Sequence, residues 1–386
     1  MRALLLVCVL CCAMAAAATP YVPADDATVL ERLPEKSDAA LRELKALRAA
    51  LVAKPDDLDA AVRFARRAVE ASRERGDPRF LGQAQAALAP WWNAASPPDV
   101  VRVLRATVRQ SLHDFDGALA DLDALLAAHP GNGQALLTRA TVLTVRGRYA
   151  DALRDCAQLA RRTTPLVFAA CSAAPASSSG SANAAYLALR EALVDPREQP
   201  VVREWALTLA AEIAARRGDA AAAEAQFRAA RALDARDPYL KAAYADFLLD
   251  QARPRDALAL VADDAYNDAL LLRVALAEAS IPERHAELAA HRDELAARFD
   301  AAHLRGDSLH RREEARFRLA LLHDANGALE LARQNWSVQR EPADLRLLVE
   351  AARAAGDRAT FDAAREWATS NRLDDVAVRA LLEARP

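Results

Sequence analysis

The residues best suited to chemistry in this sequence are its histidines and the charged residues beside them. The triplet His291-Arg292-Asp293 has the order of a phosphoryl-transfer catalytic loop, but no glycine-rich phosphate loop, paired lysine or Asp-Phe-Gly accompanies it. No two histidines lie four residues apart around a glutamate, as a metalloprotease helix requires, and this includes the clustered His285, His291, His303 and His310. We therefore predict no metal site, no cofactor and no catalytic residue.

Two cysteines, Cys156 and Cys171, have a spacing that suits a disulfide. They lie almost symmetrically about a predicted break at residues 161–165, so two antiparallel helices flanking that break would bring both thiols to the same height. A bridge over a loop of this length contributes about 3 kcal/mol in the chain-entropy model. The alternative is that both are small, buried apolar side chains.

The amino terminus has the layout of a secretory signal peptide. A single positive charge at Arg2 precedes an apolar run and then small residues, which predicts a signal peptide over residues 1–18 with cleavage near Ala18. An uncleaved anchor is the weaker alternative because the run is shorter than the roughly 20 residues that span hydrocarbon. Lipid attachment is disfavoured because no small residue directly precedes the three cysteines of this region, Cys8, Cys11 and Cys12.

Export would place the remaining cysteine pair in an oxidising compartment. No later segment is apolar enough to cross a membrane, so we expect a periplasmic protein without a membrane span after signal cleavage. The chain contains 4 lysines and 47 arginines, which together make the 51 basic residues. This bias is typical of a GC-rich bacterial genome, so the expected location is a bacterial cell envelope.

The composition predicts an all-α protein. Of the 386 residues, 53% are hydrophobic but only 5% are aromatic, so alanine and leucine supply the apolar surface and favour closely packed helices. A chain of this length forms either two domains or a repeat array. The net charge of -3 is mixed in sign along the sequence, and no basic patch predicts nucleic-acid binding.

A repeat is visible in the tetrapeptide Arg-Ala-Thr-Val, which occurs at residues 105–108 and again 34 residues later at 139–142. The match extends beyond the tetrapeptide, because residues of the same kind recur 34 positions apart on its carboxyl-terminal side as well. The matching pairs are Ala106 with Ala140, Phe115 with Tyr149, Ala118 with Ala152, and Asp121 with Asp155. A 34-residue helix-turn-helix period of this kind resembles the tetratricopeptide repeat.

This resemblance implies a right-handed superhelical solenoid of about eight or nine antiparallel helix hairpins over residues 56–386. Residues 19–55 are predicted to form a leader and a capping helix. The best repeats are 97–130 and 131–164. Irregular structure is expected at 172–183, where Pro175 and a serine run interrupt the pattern and predict a shortened helix with a mobile loop, and at 281–307, where the second helix is longer.

The resemblance also implies that the first helix of each hairpin faces a concave groove. Five polar, uncharged residues of the best repeats then become candidates for partner binding: Thr107, Gln110, Gln134, Thr141 and Thr144. A second candidate patch contains Trp336 and Arg340, because tryptophan and arginine anchor many interfaces. The alternative for Trp336 is a core position in an alanine-rich stack that needs bulk.

Four consecutive helical residues point in four directions, which assigns a role to each residue of the tetrapeptide. Alanine must face its hairpin partner and valine the preceding repeat. If threonine faces the groove, arginine points toward the second helix, where aspartates recur with the same period. We therefore predict that the arginines Arg105 and Arg139 each form a structural ion pair with one of the aspartates Asp121 and Asp155, in its own or the adjacent repeat.

These features predict an exported, non-enzymatic scaffold that binds a protein or peptide in its groove in the bacterial cell envelope. Two alternatives remain open. One is an envelope enzyme or glycan-binding factor whose site is built from distant residues, because catalytic groups need not be neighbours in sequence. The other is an assembly subunit of an envelope complex.

Overall fold

The computed structural model describes residues 39–306 and 309–384, and every regular element in these residues is helical. The predicted signal peptide, its cleavage site and the leader up to residue 38 lie outside the described residues. The α-helices are α1 (Ala39–Ala53), α2 (Leu58–Arg75), α3 (Arg79–Ala87), α4 (Ala89–Trp92), α5 (Asp99–Ser111), α6 (Phe115–Ala128), α7 (Gly133–Val145), α8 (Tyr149–Leu159), α9 (Pro165–Ser177), α10 (Ala182–Ala192), α11 (Pro200–Arg216), α12 (Ala220–Leu233), α13 (Pro238–Asp250), α14 (Pro254–Val261), α15 (Asp268–Glu278), α16 (His285–Leu304), α17 (Arg311–Leu321), α18 (Ala325–Val338), α19 (Pro342–Ala354), α20 (Arg358–Ser370) and α21 (Val376–Glu383).

The described helices form nine antiparallel hairpins in chain order. The first helices are α2, α5, α7, α9, α11, α13, α15, α17 and α19, and each packs against a second helix, respectively α3, α6, α8, α10, α12, α14, α16, α18 and α20. Helix α1 covers α2 at one end, and α21 packs on α19 at the other. The described part of the chain is therefore a solenoid with an added helix at each end.

Short turns with a fixed chemistry separate the helices of a hairpin. Aspartate side chains cap the second helices: Asp114 accepts from the N–H of Gly117, and Asp219 accepts from the N–H of Ala222. Gly218, just before Asp219, has a φ of 82°, a left-handed conformation that glycine adopts without steric cost. The sequence thus ends one helix and starts the next within three residues.

Alanine allows the two helices of a hairpin to approach closely. Ala106 and Ala118 are fully inaccessible in the α5–α6 hairpin, and Ala140 and Ala152 are nearly so in α7–α8. Larger apolar residues fill the space between hairpins, so the core is a series of clusters along the solenoid rather than one centre. This arrangement is expected when each repeat buries its surface only against its neighbours.

The stretch 172–183, predicted to be irregular with a shortened helix and a mobile loop, is regular instead. Helix α9 continues through Pro175 to Ser177, and α10 begins at Ala182. The proline lies close to the helix end, where Ser177 and Ser179 donate hydroxyl hydrogen bonds to carbonyls of the last turn. Proline therefore interrupts only one backbone hydrogen bond, and serines satisfy neighbouring carbonyls. In the other region, 281–307, a 3-10 turn precedes the 20-residue helix α16.

The superhelix closes on itself, because turns of the first, third and fourth hairpins contact a connection about five and a half hairpins further along the chain. Gly76 lies against Asn267, Gly147 against Arg340, and Gly180 against Arg372. We call this line of contacts the seam. The backbone N–H of Arg340, between α18 and α19, donates to the Val145 carbonyl at 2.7 Å, and the Tyr149 hydroxyl donates to the Arg340 carbonyl at 3.0 Å. Gly147 is also required here, because a Cβ would lie 3.3 Å from the Arg340 side chain.

The cysteine pair is bridged in the structure. Cys156 of α8 and Cys171 of α9 form a disulfide with their Cα atoms 5.7 Å apart, and both side chains are buried. The bridge joins the second helix of one hairpin to the first helix of the next. It therefore fixes a contact between repeats rather than a contact within one.

Candidate functional site

The concave side of the solenoid encloses one large cavity of about 2100 Å³, which we call the lumen. Its wall is built mainly from the first helices, from the end of α2 through α19, while the second helices form the outer layer. Because every hairpin contributes its first helix, the lumen collects side chains that are far apart in sequence. It is the best candidate for a binding site among the described residues.

The five polar residues predicted to face the groove all line the lumen, namely Thr107, Gln110, Gln134, Thr141 and Thr144. The threonine hydroxyls donate to carbonyls four residues earlier in their own helices, at 2.7–3.0 Å. Their oxygens therefore remain available as acceptors, whereas the glutamines also offer amide N–H donors. This part of the wall can form hydrogen bonds in both directions without contributing charge.

The two arginines of the repeated tetrapeptide point away from the lumen toward the second helices. Arg105 donates to Asp121 at 2.8 and 2.5 Å within its hairpin, and Arg139 donates to Asp155 at 2.7 Å from two of its nitrogens. Arg139 also contacts Asp123 of the preceding repeat at 2.7 Å. These bidentate pairs hold the two layers of the solenoid together.

Trp336 and Arg340, predicted as a second recognition patch, do not line the lumen, and Arg340 lies at the seam. Trp336 is partly buried and meets Trp367 edge-on with ring centroids 4.9 Å apart, and the Arg340 guanidinium lies 5.9 Å from the Trp336 ring. The Arg340 backbone is bound to the α7–α8 hairpin. Trp336 therefore packs against the core of the last hairpins, in keeping with the alternative interpretation. The side chain of Arg340 is exposed, so its contact with a partner stays a prediction.

A network of arginines and carboxylates was not foreseen from the sequence. Asp246 of α13 accepts from Arg273 of α15 at 2.8 Å and from Arg316 of α17 at 2.6 Å, while Asp250 binds Arg346 of α19 at 2.6 and 2.8 Å. Burial alone would raise the pKa of Asp246, but the two guanidiniums outweigh it and lower the pKa to about 2. The charges on this side of the lumen are therefore neutralised within the protein.

Helix α11 presents carboxylates of a different kind to the lumen. Glu204, Thr208 and Glu212 are four residues apart and share one helix face. Thr208 donates to Glu204 at 2.8 Å, and Tyr239 at the start of α13 donates to Glu212 at 2.8 Å. The spacing was readable in the sequence, but whether a cation lies beside each carboxylate depends on which distant helix faces α11.

Structural comparison identifies the repeat type. The structure is similar to human IFIT1 in a dimer with PPP-AAAA, with a TM-score of 0.50 and 13% identity over 86% of both chains. The fold is a tetratricopeptide repeat fold. This confirms the predicted class of an all-α superhelical solenoid built from helix hairpins.

Other solved tetratricopeptide repeat structures resemble this chain less closely. A tetratricopeptide repeat protein from Parabacteroides merdae shares 16% identity over 74% of this chain and 98% of its own, with a TM-score of 0.38. The P58(IPK) TPR domain shares 14% identity over 83% and 94%, with a TM-score of 0.23. No protein-family model and no curated protein sequence matches the chain.

The described tetratricopeptide repeats offer few other sites. Within residues 39–306 and 309–384, no group of three or more histidine, cysteine or acidic side chains is arranged to hold a metal ion. In the same residues, no helix is both long and apolar enough to cross a membrane.

The buried carboxyl of Glu204 gives the fold a pH dependence that can be measured. Burial raises its pKa to about 7, and hydrogen bonding from Thr208 only partly opposes this. A raised folded-state pKa stabilises the fold below the ordinary value near 4.5, and this contribution is lost as pH rises through about 7. We expect Glu204→Gln to stabilise the protein at pH 8 by about 1 kcal/mol, because solvent in the lumen screens the charge.

The gain in the free energy of unfolding of Glu204→Gln should disappear near pH 4.5. Urea denaturation of the wild type and the variant at both pH values measures this difference. The exposed Glu366 on α20 supplies a control, since Glu366→Gln should leave stability within about 0.5 kcal/mol of wild type at both pH values. An equal effect of Glu204→Gln at pH 4.5 and pH 8 would contradict the assignment.

Proposed function

We propose that the protein is an exported, non-enzymatic scaffold that holds a segment of another polypeptide in its lumen in the bacterial cell envelope. The observation that carries this proposal is the lumen wall itself. Hydroxyl and amide groups from α5 and α7 offer the donors and acceptors that an extended backbone needs. Surfaces of this shape in helical repeat proteins commonly hold another polypeptide.

Export is supported by two independent features. The first is the signal-peptide layout at residues 1–18, and the second is the buried disulfide between Cys156 and Cys171. Stable disulfides are typical of oxidising compartments such as the bacterial periplasm. We propose that the mature chain begins after Ala18 and functions there.

A polypeptide fits the lumen better than a nucleic acid does. Human IFIT1, which shares the fold, is seen with PPP-AAAA, but a phosphate chain needs uncompensated basic groups. In this lumen the arginines of α15, α17 and α19 are paired with carboxylates, as in Arg273 with Asp246 and Arg346 with Asp250. The charges of Arg216 and Arg73, which also line the lumen, act on the carboxyls of Glu212 and Asp237 respectively. The carboxylates of α11 would also repel phosphates.

Site-specific photo-crosslinking from the lumen tests this proposal. A benzophenone amino acid replaces Thr141, which is exposed on the lumen wall, in protein produced in the periplasm of an expressing bacterium. We expect a polypeptide to be cross-linked in about equimolar amount after irradiation. Thr369 on α20 is the matched control, because it is exposed on an outer helix and its hydroxyl makes the same bond to a carbonyl four residues earlier.

Cross-linking from position 369 alone, or from neither position, would contradict a lumen that binds polypeptide. If nucleic acid is cross-linked at position 141, the partner is a nucleic acid and not a polypeptide. Recovery of a glycan there would favour the glycan-binding alternative instead.

A further inference from the structure

One wall of the lumen carries carboxyl groups that have no ion-pair partner among the described residues. Glu204 and Glu212 of α11, with Asp237 just before α13, line the lumen, and we call these three residues the acidic wall. Among the described residues, none of the three carboxylates has an arginine, lysine or histidine nitrogen within 4.0 Å. Arginines act on two of them at longer range: Arg216 and Arg312 lower the pKa of Glu212, and Arg73 lowers that of Asp237, but burial outweighs both effects. By contrast, Asp246 and Asp250 of α13 are bound by arginines from α15, α17 and α19.

The hydrogen bonds of the acidic wall orient the carboxylates of its two glutamates and leave most of their acceptor positions free. The hydroxyl of Thr208 donates one bond to Glu204, and the hydroxyl of Tyr239 donates one to Glu212. A carboxylate has about four acceptor positions, so both retain capacity for a charged donor. The ring of Tyr239 is 60% exposed, which leaves an aromatic face beside Glu212 where a cation can also be stabilised.

Burial disfavours the ionised form of each carboxyl in the acidic wall. It raises the pKa of both Glu204 and Glu212, and it raises the pKa of Asp237 as well. A basic group arriving from outside would favour the ionised carboxylates and remove this cost. The lumen is thus complementary in charge to a basic partner on this side.

We propose that the polypeptide held in the lumen is extended and basic, and that two of its lysine or arginine side chains dock on Glu204 and Glu212. This proposal rests on the proposed function and adds the chemical class of the partner. The two glutamates are eight residues apart on α11, or about 12 Å along the helix axis. Residues four apart in an extended chain are separated by about 13–14 Å, so a spacing of four suits both carboxylates.

Fluorescence anisotropy with matched synthetic peptides tests the proposal on the mature protein. Each labelled peptide has 13 residues of glycine, serine and alanine with two variable positions four residues apart, occupied by lysine, by norleucine or by glutamate. We expect the lysine peptide to bind about tenfold more tightly than the norleucine peptide, and the glutamate peptide to bind most weakly. A fourth peptide with adjacent lysines should bind less tightly than the one with spaced lysines.

The double variant Glu204→Gln/Glu212→Gln should lose the preference for lysine, while the outer-surface variant Glu366→Gln should keep it. The comparison of peptides on the wild-type protein stays decisive if the double variant does not fold. Equal binding of the lysine and norleucine peptides would overturn the basic partner but leave polypeptide binding intact. Failure of every peptide to bind would count against the proposed function itself, and tighter binding of spermidine than of the lysine peptide would overturn a polypeptide occupant.

Discussion

Replacing Asp121 by alanine should destabilise the protein by about 3–5 kcal/mol, the largest loss we expect from a single polar substitution. Asp121 is 5% exposed and accepts from Arg105, itself 8% exposed, and from Arg109 at 2.8 Å. Without the carboxylate, the buried Arg105 guanidinium keeps its charge but loses its bidentate partner. Urea denaturation followed by circular dichroism measures the loss, and hydrogen exchange in α5 and α6 locates it.

A matched control separates burial from charge. Asp123 also pairs with an arginine of the repeated tetrapeptide, Arg139, but its side chain is 63% exposed. Asp123→Ala should therefore cost less than about 1 kcal/mol. Replacing both Arg105 and Asp121 with methionine and leucine should recover most of the stability lost in Asp121→Ala, because no unpaired charge then remains buried. Similar losses for Asp121→Ala and Asp123→Ala would contradict the structural role assigned to Asp121.

Removing the disulfide between Cys156 and Cys171 should lower the stability of the oxidised protein by about 3 kcal/mol. The bridge spans a sequence separation of 15 residues and joins two neighbouring hairpins, so it restrains the unfolded chain and also the stacking of repeats. Protein isolated from the periplasm should contain no free thiol and should start at Thr19, both of which mass spectrometry measures. Thermal unfolding with and without reductant then measures the stabilisation.

Two precautions make this comparison decisive. The cysteines are buried, so reduction should be carried out in denaturant before refolding in reductant. The variant Cys156→Ala/Cys171→Ala is the control, because its melting temperature should not respond to reductant. Equal melting temperatures for oxidised and reduced wild type would show that the bridge contributes nothing to stability.

The repeated tetrapeptide shows what local sequence can predict. Ala106, Thr107 and Arg105 lie in one helix whose partner is the next helix along the chain, so their directions follow from the helical period alone. Thr107 was predicted to face the groove and Arg105 to face the second helices, and both directions are observed. Whether each arginine pairs in its own or the adjacent repeat was left open, and Arg105 pairs with Asp121 of its own hairpin. The cysteine pairing was accessible in the same way, because 15 residues separate the two thiols.

The contacts of the seam and of the arginine network could not be predicted from local sequence. Arg340 meets Tyr149 across 191 residues, Arg346 meets Asp250 across 96, and Arg316 meets Asp246 across 70. Each contact depends on how far the solenoid rotates at every hairpin, and a small change in that rotation would move one superhelical turn past the other. The closing contacts of the Arg340 backbone therefore had no signal in the local motif.

The sequence by itself thus determined the helical class, the pairing of helices into hairpins, the residues of the best first helices that face inward, and the direction of the repeated arginines toward the second helices. Only the tertiary structure decided that the solenoid closes around a lumen, which arginines neutralise which carboxylates, and that Glu204 and Glu212 have no ion-pair partner among the described residues. The physical reason is that pairing within a hairpin is set by the period of neighbouring residues. Closure instead depends on the small rotation of each hairpin relative to the previous one, added over many hairpins. No local sequence motif specifies the total rotation.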